Sequence, residues 1–196
     1  MHLTRLVLLL AVTLLSCGST VAQNPGPQFW RKLGCEPFEP RTKLEQVDDA
    51  YNSVIIKGFT RITTVEVRGV RIDAVDMRGE AFPYRAKGIV VSLREGGERP
   101  NENRAFVDYE QLDPLLKAID AVSRVDETST NLAGFEASYK TSGDFEIRVF
   151  RQTQRGTAVI LSTGICDRAT QTMTLDDLSK VKAMIQEAKT RLEDLK

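Results

Sequence analysis

Apolar positions in this chain follow three periods, and each period marks a different kind of segment. Leu6 to Leu15 is continuously apolar apart from Thr13, follows the charge of Arg5, and gives way to a small, polar run ending Thr20-Val21-Ala22. Charged start, apolar centre and small-residue end are the three parts of a secretory leader. Residues 1–22 are therefore read as a signal peptide cleaved after Ala22. The apolar run is too short to remain in a bilayer as a spanning helix. Leu14-Leu15-Ser16-Cys17 offers an alternative: a lipoprotein box in which Cys17 is lipidated and becomes the first mature residue, although Leu15 departs from the small residue usual there.

Gln23 to Pro40 has no apolar period and contains Pro25, Pro27, Pro37 and Pro40, so it reads as an extended arm. Its aromatics, Phe29, Trp30 and Phe38, are expected to staple the arm to the domain surface. Residues 41–196 read as a single α+β domain in two similar halves, about 53–124 and 132–196.

In the first half, Leu44 and Val47 predict a short helix within Arg41–Tyr51, after which the period falls to two. Val54–Ile62 is β-branched. Thr64–Met77 alternates as Val65, Val67, then Val70, Ile72, Ala74, and the parity flip at Gly69 predicts a bulge or turn. Ile89, Val91 and Leu93 share one face of a further strand, and Arg104–Tyr109 leads into a helix striped by Leu112, Leu115, Ile119 and Val122. Asp113 is the expected N-cap, with Pro114 in the first turn; Asp108 is an earlier alternative that would place Pro114 inside the helix.

The second half repeats the order. Phe135, Ala137, Tyr139 and Phe145, Ile147, Val149 alternate about the turn Thr141-Ser142-Gly143-Asp144 and predict a hairpin. Thr157–Ser162 and Gln171–Met173 add strands. Thr174 caps a final helix striped by Leu178, Val181, Ile185, Ala188, Leu192 and Leu195, a stripe expected to lie on the domain's own sheet. The fold class is thus α+β: a duplicated unit of antiparallel strands followed by one helix. The helices cover one sheet face and the other is largely solvated.

Composition then limits the chemistry. The only histidine, His2, lies in the leader, so the mature chain has none. Ser-His-Asp and Cys-His nucleophiles, imidazole zinc sites and proximal-histidine haem are excluded. No phosphate loop or calcium run is present, and no cofactor is expected. Lys+Arg equals Asp+Glu, so no nucleic-acid partner is expected. The arginines Arg61, Arg68, Arg71, Arg78 and Arg85, with Lys87, are interleaved with Glu66, Asp73 and Asp76 and read as a mixed solvated face. Carboxylates near element ends are Asp73, Asp76, Asp108, Glu110, Asp113, Asp176 and Asp177. They are candidates for a carboxylate-dependent hydrolase, and each also has an ordinary role as cap or dipole complement. Cys35 and Cys166 remain after the leader and are expected to form one disulfide. No residue constellation specifies a chemistry. The leading expectation is an exported, periplasmic or extracellular, non-enzymatic binding or envelope-associated protein. Its partner is an unknown protein or envelope component, and it has no transmembrane helix.

The strands–helix, strands–helix order over Val54–Lys196 resembles, in architecture alone, the duplicated units of Whirly and PUR-repeat single-stranded nucleic-acid binders. That resemblance implies a sheet surface for single strands as an alternative function. Phe106-Val107-Asp108-Tyr109, with Tyr139-Lys140-Thr141-Ser142-Gly143-Asp144-Phe145, resembles small exported bacterial proteins of unknown function, which implies no chemistry.

Overall fold

The computed structural model describes residues 39–98, 100–126, 128–131, 134–152 and 156–195. The leader with Cys17 and Ala22, and the arm with Phe29, Trp30, Cys35 and Phe38, lie outside the described residues.

The fold is α+β, built on two four-stranded antiparallel sheets. In the first, β1 (Ile55–Arg61), β2 (Val70–Gly79), β3 (Arg85–Arg94) and β4 (Glu102–Asp108) lie side by side in chain order. In the second, β5 (Glu136–Lys140), β6 (Phe145–Gln152), β7 (Gly156–Thr163) and β8 (Ala169–Met173) do the same. A short helix, α1 (Lys43–Asp48), precedes the first sheet; α2 (Leu112–Ser123) follows it and α3 (Leu175–Glu193) follows the second.

Period-two alternation sets the faces. Ile72, Ala74, Ile89, Val91, Leu93, Ala105 and Val107 point from the first sheet into one core; Phe145, Ile147, Val149, Val159 and Leu161 enter it from the second. The predicted hairpin forms with Tyr139 opposite Ile147 and Ala137 opposite Val149. Both long helices join that core through their apolar stripes. They are exchanged between halves: α2 packs on β5 and β6, whereas α3 lies along β2 and β3.

Several local expectations are corrected. Val65 and Val67 belong to no strand, because the chain leaves β1 at Arg61 and re-enters at Val70 through a turn in which Gly69 adopts φ +73°. A Cβ there would also stand 2.6 Å from the Arg94 carbonyl oxygen. The first helix is shorter than Arg41–Tyr51. Neither Asp113 nor Asp108 caps α2, which grows out of a 3-10 turn (Tyr109–Gln111) and starts at Leu112. Pro114 is then the third helical residue, where a backbone N–H has no intrahelical partner, so the earlier start loses no hydrogen bond. In α3, Leu195 falls past the helix end and is exposed, while Met184 joins the buried stripe.

The largest correction concerns the second face of the first sheet, expected to be solvated. Leu44 and Val47 of α1 pack there with Val75, Met77, Ala86, Val90 and Phe106 to make a second core. At six residues, α1 is too short to persist alone. Thr42 and Glu45 form a reciprocal capping box. The Glu45 carboxylate accepts from the Arg41 and Thr42 amides (2.7 and 2.9 Å), and Asp108 accepts from those of Lys43 and Leu44 (2.9 and 3.1 Å). Two carboxylates thus satisfy the donors at the helix start.

Candidate functional site

Beyond α1, the same face of the first sheet is open. It carries Phe59 and Arg61 from β1, Arg71 and Asp73 from β2, Ser92 and Arg94 from β3, and Glu102 and Arg104 from β4. The register aligns them in cross-strand rows: Arg61 opposite Asp73, Arg71 opposite Ser92, and Ser92 opposite Arg104.

Asp73 receives Arg61 Nε at 3.1 Å and Arg71 Nε at 3.4 Å, and Arg71 reaches on to Glu102 (3.1 Å) and to the Ser92 hydroxyl (3.1 Å). At the margin of α1, Asp48 receives Lys57 (3.1 Å) and Arg104 (2.7 Å). Both cations sit over the Phe106 ring, 5.8 and 5.1 Å from its centre. The exposed Arg94 has no carboxylate partner among the described residues. Asp49, next to Asp48, also lies within the field of Arg104, so five cations meet four carboxylates here, and Phe59 stands 67% exposed beside Arg61 on β1. The recess formed by Gly69, Val70, Arg71, Ser92, Arg94 and Glu102 holds only about 170 Å³. That is below the roughly 300–1,000 Å³ of small-molecule pockets.

The arginine-rich stretch is thus mixed in charge, as expected, but it is divided between two faces. Arg61 and Arg71 lie on the open face. Arg78 and Arg85 lie on the opposite one, where Arg85 pairs with Asp76 and Lys87 donates to the Leu195 carbonyl.

The acidic candidates do not converge. Asp73 and Asp76, three apart on one strand, point to opposite faces. Glu110 pairs with Lys43 (2.5 Å), and this partner holds its carboxyl below the usual range. Asp113 pairs with Lys189 of α3 (2.9 Å). Asp177 closes the start of α3 with Thr174 and Lys180, and the Lys180 hydrogen bond lowers its pKa. Burial pushes Asp108 and Glu45 above their ordinary values, against the pull of the amides they accept. These two are the perturbed buried carboxyls, and both are engaged at the start of α1. Among the described residues no group of three or more His, Cys, Asp or Glu side chains is placed to hold a metal ion. No described helix is long and apolar enough to cross a membrane. Cys166 lies in the β7–β8 turn, where its carbonyl accepts from Asn103 Nδ2 (3.1 Å). Its expected partner, Cys35, is outside the described residues.

Sequence reasoning missed Arg94, Glu102, Arg104 and Phe59 as members of one surface. The i, i+2 spacing of Glu102, Arg104, Phe106 and Asp108 carried a signal, because alternate strand residues share a face. No family model, curated protein or solved structure matches this chain.

Proposed function

We propose that this is an exported, non-enzymatic binding protein that meets an anionic protein or envelope component across the open half of the first sheet. The observation that carries this reading is the excess of cations over carboxylates on a shallow surface, with Arg94 lacking a carboxylate partner among the described residues. Such a surface suits an extended or flat partner better than a small substrate. Export rests on the leader pattern. A carboxylate hydrolase has less support, because the acids singled out are each committed to a cation, a cap or a helix start.

Binding of the purified protein to dextran sulfate, as a model anionic polymer, tests the proposal. Affinity is expected to fall with added salt and to drop on Arg94→Glu. No binding at low salt, or binding indifferent to that substitution, sinks it. The same titration with a single-stranded oligonucleotide tests the nucleic-acid alternative. A salt slope confined to the oligonucleotide would favour that reading instead.

A further inference from the structure

β1 is an outer strand of the first sheet, and its backbone groups divide between two sides. Glu80 N–H donates to the Val54 carbonyl and Ile62 N–H to that of Ile72. In the β1–β2 register these are the ends of one series, Val54, Ile56, Gly58, Thr60 and Ile62, whose backbone groups face β2. By antiparallel alternation, the N–H and C=O groups of Ile55, Lys57, Phe59 and Arg61 point the other way. Among the described residues no strand pairs with that side. The side chains around it are apolar and exposed: Tyr51 91%, Val54 60%, Ile56 53% and Phe59 67%.

The usual guards of a free edge are proline, a bulge or an outward lysine. This edge has no proline or bulge, and its one lysine, Lys57, is drawn inward over Phe106 to Asp48. The other outer strand of this sheet is differently placed. Phe106 of β4 bridges to Gly143 in the β5–β6 turn, and Asn101 and Asn103 grip the carbonyls of the β7–β8 turn.

We infer that β1 pairs antiparallel with β1 of a second copy of this chain, about a two-fold axis through Gly58. Charge and length select this register. Centring the pair on Lys57 sets two lysines against each other, and centring on Phe59 sets Lys57 against Arg61. Centring on Gly58 engages all seven strand residues, with Lys57 opposite Phe59, Arg61 opposite Ile55, and Ile56 opposite Thr60, so that no cation faces a cation. Gly58 itself has no requirement within the monomer, since a Cβ there meets only the Asp76 carbonyl oxygen, at 3.7 Å. A strand glycine of this kind marks the approach of another backbone. The product is an eight-stranded sheet, isologous as a two-fold demands, with the two open faces side by side. The pairing does not depend on what those faces bind.

Sedimentation of the purified protein from low micromolar to millimolar concentration is the test. A monomer–dimer equilibrium is expected, with a dissociation constant on the order of micromolar to tens of micromolar, as suits an interface near the small end of specific contacts. Phe59→Pro removes an N–H that no described residue of the monomer accepts. It should leave the melting temperature nearly unchanged while weakening the dimer at least tenfold. Gly58→Cys should give an intermolecular disulfide on mild oxidation above the level of the native cysteines, because facing Cα atoms of such a pair lie about 4.5 Å apart. Thr60→Cys, off the axis, should not. A protein that stays monomeric at millimolar concentration overturns the inference, as does a dimer that Phe59→Pro leaves intact. Equal cross-linking at positions 58 and 60 refutes the register.

Discussion

Gly143→Ala should be among the most destabilising conservative changes available to this fold. Gly143 sits in the β5–β6 turn and bridges Phe106 of β4. A Cβ at this position would overlap the Phe106 carbonyl oxygen and stand 2.9 Å from its carbonyl carbon. Both obstacles are backbone, so the turn and β4 must separate by an ångström or more. The turn has little freedom to absorb that shift. Thr141 N–H donates to the Phe145 carbonyl (2.9 Å), and Phe145 N–H donates to the Thr141 hydroxyl (3.1 Å). Asp144, 5% exposed, is held by Arg41 (3.2 Å) and Lys140 (2.8 Å), and Phe145 is wholly buried. Losing the bridge pairing costs about 1 kcal/mol, and prising a packed element off its neighbour adds about 1–3 kcal/mol. The expected loss is about 2–4 kcal/mol, equivalent to a fall in melting temperature of roughly 5–15 °C for a domain of this size. Urea unfolding at constant m-value measures it. Gly96→Ala is the control, since nothing lies within 4 Å of its Cβ position; it should stay within about 0.5 kcal/mol of the parent. If Gly143→Ala also falls within 1 kcal/mol, the close approach of the two halves at this point is not real.

Three further outcomes are expected. Burial raises the folded pKa of both Asp108 and Glu45, so their contribution to stability is fully present below their unfolded values near 4 and is lost as pH rises through the folded ones. The stability of the parent minus that of Asp108→Asn should therefore decline from about pH 4 towards neutrality, and a difference that grows with pH would contradict the assignment. Thr174→Ala removes the hydroxyl that accepts from Asp177 N–H (3.2 Å) at the start of α3 and should cost about 1 kcal/mol in the same urea assay. Thiol titration of the denatured, unreduced exported protein should find Cys35 and Cys166 blocked as one disulfide, and two reactive thiols would end that proposal.

The sequence made the strands legible where one face is apolar and the other is not. Phe145, Ile147 and Val149 against Glu146 and Arg148 admit only one register, because a one-residue slip would bury charge. The α3 stripe was legible for the same reason. Val65 and Val67 misled because alternation over four residues is also met in a turn; the parity flip at Gly69 pointed to that turn, and its φ of +73° places the strand start after it. Asp108 misled through proximity. It precedes a helix it does not cap and serves one 64 residues earlier, a partnership no local pattern encodes. The open face was hidden because its members come from four strands, and charge spacing along any one of them reads as ordinary solvated alternation.

The division of that face into a covered and an open half follows from where α1 stops. Leu44 and Val47 are the two apolar side chains α1 buries, and they reach only the end of the sheet that offers Val75, Met77, Ala86, Val90 and Phe106. Past Asp48 the next stripe position is Tyr51, which is 91% exposed and covers nothing, and the strands beneath change to Arg61, Asp73, Arg71, Ser92 and Arg104. Asp48 marks the boundary by drawing Lys57 and Arg104 over Phe106, which seals the apolar edge under two cations. A longer α1 would have buried the arginines at a desolvation cost of several kcal/mol each unless they were paired. A shorter one would have exposed the second core. The six-residue helix, fixed at its start by Glu45 and Asp108, therefore sets how much of that sheet face stays open among the described residues.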